Sequence, residues 1–225
     1  MSEGRLSLKL AVTIGNVNVS EFICEVIASF EDIGRVLTFD KLTELSALIR
    51  IGGFDLTLIG GSGGLVRAEF IIDNINMLSD FSGFISTYRR LISLLPTRVS
   101  AVKGLELMCV YEAYIPIAYT AILKPSNISK VLSSYGILVD DVNTEVLDGV
   151  ELINVMGTYV VAGLGAVRTI YSTLLRNYAV RSSFTMSKNV GVDDISEKTL
   201  KKLIYEVQVL AQVINEELYY RDFVR

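Results

Sequence analysis

The chain has 225 residues, a formal net charge of −4, and neither histidine nor tryptophan. Hydrophobic residues make up 51% of it, yet its longest uncharged stretch, Leu152 to Val167, has 16 residues including three glycines, short of the roughly 20 apolar residues of a membrane helix. The missing histidine removes the commonest general base and transition-metal ligand, and the acidic balance argues against a surface built throughout for nucleic acid.

Residues 5–14 alternate, with Leu6, Leu8, Leu10, Val12 and Ile14 on one face, which predicts a strand with one buried side. Asn18 or Ser20 then supplies an N-cap. Phe22, Ile23, Val26, Ile27, Phe30 and Ile33 form a helical stripe over 20–33 that Gly34 closes. Strands are expected at 35–39, 46–51, 54–59 and 65–72, punctuated by Gly52-Gly53 and by Gly60-Gly61-Ser62-Gly63-Gly64, as in an antiparallel meander. Leu78, Phe81, Ile85, Tyr88, Ile92 and Leu95 alternate spacings of three and four, the pattern of one helix face, and Pro96 marks the stop.

The Val, Ile and Tyr of Leu105 to Leu123 predict two strands or one bent strand, with Pro116 at an edge or bulge. A short helix begins at Pro125, carries Ile128, Val131, Leu132 and Tyr135, and ends at Gly136. Further strands are expected at 137–142, 150–155, 158–161, 167–175 and 178–186, with Arg176-Asn177 as a hairpin turn. Asp193, Asp194 or Ser196 caps a closing helix whose stripe is Leu200, Leu203, Ile204, Val207, Leu210, Ile214 and Leu218.

The order strand, short helix, meander, long helix thus occurs twice. Gly64-Leu65-Val66-Arg67 also recurs as Gly165-Ala166-Val167-Arg168, each copy following an apolar run and a glycine cluster. These patterns predict an α+β fold with antiparallel sheets, built from two similar tandem units, residues 1–97 and 98–225, in a pseudo-two-fold arrangement. Tandem units of this kind occur in saddle-shaped repeats, profilin-like modules and helix-grip folds, so the architecture alone assigns no function.

The glycines of residues 60–64 offer backbone amides after a strand, but a Walker loop needs a Lys followed by Ser or Thr opening a helix. A strand follows here, which favours a hairpin turn. The second glycine cluster superficially resembles a dinucleotide fingerprint but carries Arg168 at its last position. Arg67 and Arg168, expected at equivalent sheet positions, are candidate partner or anion contacts together with Gly64 and Gly165. Tyr219, Tyr220 and Arg221 join them as residue types favoured at interfaces.

Other groups have plainer readings. Asp140-Asp141 suits a strand exit, Asp193-Asp194 a helix start and Glu216-Glu217 a solvated face. Thr158, Thr169, Ser172, Thr173, Ser182, Ser183 and Thr185 suit the polar face of a sheet, with no nucleophile elbow and no histidine to activate a hydroxyl. Cys24 and Cys109 suit buried free thiols, with a disulfide between them as the alternative. No catalytic residue, metal ligand or cofactor is assigned.

The expected function is therefore non-catalytic: macromolecular binding or assembly, with a protein partner or a second copy docking on a composite surface of the two units. One alternative is a small-molecule-binding protein or enzyme with a pocket between helices and sheet. Another is a nucleic-acid or ribosome-associated factor whose basic patch gathers Arg35, Lys41, Arg67, Arg89, Arg90, Arg98, Arg168, Arg176, Arg181 and some of the remaining lysines on one face. The opening residues lack the continuous apolar run of a signal peptide, so a cytoplasmic location is the default expectation.

Overall fold

The computed structural model describes residues 4–30, 32, 35–41, 44–75, 79–95, 101–116, 124–147, 150–176 and 179–219. The expected roles of Gly34, Leu78, Pro96, Asn177, Tyr220 and Arg221 fall outside those residues, as does the continuation of the bent strand beyond Pro116. The fold is α+β with antiparallel strand pairing. The chain forms two compact units, one of Ser7–Leu107 with Asn189–Leu200, the other of Met1–Leu6, Met108–Lys188 and Lys201–Arg225.

In the first of these, the elements are strand β1 (Arg5–Ile14), helix α1 (Val19–Phe30), strands β2 (Arg35–Lys41), β3 (Glu44–Ile51), β4 (Phe54–Gly60) and β5 (Val66–Asp73), and helix α2 (Ser82–Ser93). The strand order is β2-β3-β4-β5-β1. Alternation decides which face of β1 is buried: Leu8, Leu10, Val12 and Ile14 are all at 0% exposure. Burying each such side chain contributes about 1.5–3 kcal/mol. The Asn18 side-chain oxygen accepts from the Glu21 backbone N–H at 3.4 Å, the N-cap expected of that residue. Between the meander and α2 lies an aromatic cluster, with Phe84 edge-on to Phe54 at 5.6 Å and to Phe70 at 5.7 Å between ring centroids. Tyr88 packs against Phe70, and its hydroxyl donates to the Val192 carbonyl at 2.9 Å.

The second series consists of β6 (Val102–Pro116), α3 (Pro125–Ser134), β7 (Leu138–Leu147), β8 (Val150–Val161), β9 (Gly165–Arg176), β10 (Ala179–Asn189) and α4 (Glu197–Tyr219), preceded by a 3-10 turn at Val192–Asp194. Its strand order is β6-β10-β9-β8-β7. Pro125 opens α3, where its lack of an N–H costs nothing. Ser196 caps α4 by accepting from the Thr199 N–H at 3.2 Å, and every residue of the expected α4 stripe from Leu200 to Leu218 is buried.

Two expected strands, 150–155 and 158–161, are one. Gly157 does not break β8; it is buried within it, and a Cβ there would lie 2.5 Å from the Leu138 carbonyl oxygen. The glycine serves a close approach of β7 to β8 rather than a turn. The seven hydroxyl residues also do not share one face: Thr169, Thr173 and Ser182 are 1–2% exposed, on the side of β9 and β10 that packs under α4. Cys24 and Cys109 are both free, and Cys24 is exposed rather than buried.

Candidate interaction edge

The two arginines of the sequence echo occupy different places. Arg67 is the second residue of β5, beside Thr13 of β1 and Ile59 of β4. Arg168 lies in β9, beside Thr158 of β8 and Ser187 of β10. In strand order β5 is next to the first strand of its series, whereas β9 is one strand further away, so the echo falls on successive hairpins and not on equivalent ones. Gly64 and Gly165 have φ of 71° and 77°, which a turn requires and which L side chains seldom adopt. A Cβ at Gly64 would also meet the Val17 carbonyl oxygen at 2.9 Å. Backbone geometry accounts for both glycines.

Arg67 is occupied. Its Nε lies 2.6 Å from Glu69 Oε1, and Lys9 Nζ reaches the same oxygen at 2.7 Å. Burial alone would raise the Glu69 pKa, but hydrogen bonds and charge from Lys9 and Arg67 outweigh it and hold the carboxyl below its ordinary value of 4.5. Other cations of the expected basic patch are likewise paired: Arg90 with Asp32 at 3.2 Å and over the Phe30 ring, and Arg181 with Glu112. Arg168 differs, because its guanidinium reaches the Met156 sulfur at 3.5 Å and it makes no ion pair among the described residues.

Tyr219 is not a surface residue. It is 3% exposed, and its hydroxyl lies 3.2 Å from that of Tyr171, which donates to Asn215 Oδ1 at 2.9 Å. Ser182 donates to the same oxygen at 3.0 Å. Strands β9 and β10 thus hold α4 through a buried, fully satisfied polar cluster. Burial pushes the Tyr171 hydroxyl up to about 12, against the lowering effect of its Tyr219 and Ser182 hydrogen bonds, so it stays protonated at neutral pH.

The exposed feature lies elsewhere, on β7. This ten-residue strand ends the order of its sheet, and it is exposed continuously from Asp140 to Val146. Leu138 is 69% exposed, Val142 40% and Val146 70%. Asp140-Asp141 is not at a strand exit: a bulge between Val139 and Asp141 leaves Asp140 unpaired within β7. The Thr158 hydroxyl donates to Asp140 Oδ2 at 3.1 Å, and the Val142 backbone N–H donates to Asp141 Oδ1 at 2.9 Å. Strand alternation places Val142, Thr144 and Val146 on one face of the sheet and Asp141, Asn143 and Glu145 on the other. An open depression of about 450 Å³ adjoins the bulge, lined by Asp140, Asp141, Met156, Thr158 and Arg168 among others.

This edge has a signal in the sequence that motif searching passes over. Between Lys130 and Arg168 there is no Lys or Arg, while Asp140, Asp141, Glu145, Asp148 and Glu151 are all acidic. A stretch of one sign is a statement about partners as much as solubility. Among the described residues no group of three or more Cys, Asp or Glu is placed to hold a metal ion. No described helix is long and apolar enough to cross a membrane.

No family model matches the chain, and no curated protein matches it. Among solved structures it is similar to the di-domain ARO/CYC StfQ from the steffimycin biosynthetic pathway, with 7% identity, 96% of this chain and 99% of that chain covered, and a TM-score of 0.28. At that identity and score the likeness bears on neither activity nor ligand.

Proposed function

We propose that the chain is a non-catalytic binding protein that captures an extended segment of a partner polypeptide along β7. The observation that carries this reading is the open edge itself: β7 has a strand neighbour on one side alone among the described residues, and the N–H of Val142 donates to the adjacent Asp141 side chain. An exposed edge presents a row of backbone donors and acceptors, and pairing with an added strand satisfies them. Exposed Val142 and Val146 give such a strand apolar side chains to cover.

We infer, too, that the chain arose by duplication. The element order strand, helix, four strands, helix recurs, and the strands follow the same sequence, fifth beside first, then fourth, third and second, in both series. The cross-strand ion pairs support it: Lys9 of β1 meets Glu69 of β5, and Glu112 of β6 meets Arg181 of β10, the same two strand positions with the charges exchanged.

Selection of peptides from a displayed random library on the purified chain tests the binding reading. The expected result is enrichment of segments with alternating β-branched residues whose binding is lost in Thr144→Pro; on this reading the N–H groups of Val142 and Thr144 face the open side, as the Asp141 contact at Val142 suggests, and proline removes one of them. Peptides that bind Thr144→Pro equally well, or no enrichment at all, would refute it.

A further inference from the structure

Resting on that reading of β7, we infer that the segment it accepts is basic, with Lys or Arg at alternate positions. The register places Asp141, Asn143 and Glu145 opposite Met156, Asn154 and Leu152, so these three side chains share the face of the sheet opposite α4. Asn143 Nδ2 donates to Glu145 Oε1 at 2.8 Å, which fixes the direction of that carboxylate. A strand added to β7 sets its own alternate side chains beside this row, at the short cross-strand spacing where charge sign matters most.

The same row discriminates between occupants. In an antiparallel pairing of β7 with β7 of a second copy, centred near Asn143, Asp141 of each copy stands opposite Glu145 of the other. Like charges directly opposite are destabilising, so the edge rejects its own copy. A neutral strand gains the backbone bonds only. A basic strand gains those bonds and the complementary charge, and β7 and β8 carry no cation of their own to compete with it.

The bulge sets where the added strand stops. Regular pairing on β7 runs from Asp141 to Leu147, and at Asp140 the ladder shifts. There the depression of about 450 Å³ receives one long basic side chain, its stem along Met156 and its head toward Asp140 and Asp141. Arg168 on the opposite wall, having no carboxylate partner among the described residues, repels a second head and limits the depression to one.

Three ten-residue peptides of β-branched residues, with Lys, Gln or Glu at every second position, test this by fluorescence polarisation against the full chain at low and at physiological salt. The Lys peptide is expected to bind about tenfold more tightly than the Gln peptide, with the Glu peptide weaker still. Its advantage should fall with salt and disappear in the Asp140→Asn, Asp141→Asn, Glu145→Gln triple variant. Equal binding of the Lys and Gln peptides overturns the charge inference while the edge reading stands. Binding of none of them overturns the edge reading itself. A concentration-dependent dimer in light scattering that Thr144→Pro abolishes overturns the inference in favour of a second copy.

Discussion

The Tyr171 hydroxyl donates to Asn215 Oδ1 at 2.9 Å across the buried layer between β9 and α4, and Ser182 donates to the same atom at 3.0 Å. One acceptor thus serves two donors, which makes the two partners unequal. Tyr171→Phe removes one donor and leaves Asn215 bonded to Ser182, a cost of about 1 kcal/mol. Asn215→Ala strips the acceptor from two buried hydroxyls and leaves a small void, a cost of about 3 kcal/mol. Urea denaturation of both variants and of the double variant should show strong non-additivity. Equal single costs that simply add would mean that the cluster does not act as one network.

Glu69 predicts an acid-dependent contribution from the other series. Its folded pKa lies below the ordinary 4.5 because the Lys9 and Arg67 contacts outweigh burial. A carboxylate with a depressed folded pKa contributes stability that is complete above its unfolded pKa and is lost as pH falls through the folded value. Glu69→Gln should therefore lower the melting temperature at pH near 7 and make progressively less difference as the pH drops below about 4.5. A stability gap between the two proteins that persists unchanged to low pH would exclude the charge as its source.

Strong periodicity was legible in the chain from end to end. The stripe from Leu200 to Leu218 and the alternation from Leu6 to Ile14 each describe one buried face, because the solvent on the other side imposes the period. Where both sides of a segment are occupied, that contrast weakens. Thr169, Thr173 and Ser182 read as part of one polar sheet face, yet they are buried, since Tyr171, Asn215 and Tyr219 make the layer above them polar. The Gly-x-Val-Arg echo pointed to a repeat, but it marks hairpins one strand out of step, because two turns need positive φ for the same steric reason at any place in a meander. The β7 edge was hidden for a different cause. Edge position is a property of strand order, which no local pattern encodes, although its run of unopposed carboxylates was in view.

Gly157 ties the fold of the edge to its use. A Cβ at this position would lie 2.5 Å from the Leu138 carbonyl oxygen and 2.9 Å from the Ile137 side chain, so Gly157→Ala forces the start of β7 away from β8. The expected cost is about 1–3 kcal/mol, typical of overpacking. Peptide binding to β7 should weaken in parallel, because the edge loses its register. Gly53→Ala is the control, since nothing lies within 4 Å of a Cβ there. Similar behaviour of the two variants would show that the close approach at Gly157 does not hold β7 in place.

The two thiols should separate cleanly by reactivity. Cys24 is exposed on α1, whereas Cys109 is buried in β6, and burial pushes its thiol up to about 12 against a lowering hydrogen bond from the Val110 backbone. The thiolate is the reactive species, so Cys109 is protected twice, by its protonation and by its inaccessibility. Ellman's reagent at neutral pH should titrate one thiol in the native chain and the second only as denaturant is added. While reaction is slow beside reclosing, the rate at the second thiol should rise with reagent concentration and track the free energy of opening the sheet around β6; once reaction is fast it should level off at the opening rate. Two thiols reacting at once in the native state would place Cys109 outside the core, and with it the assignment of β6 as a buried strand.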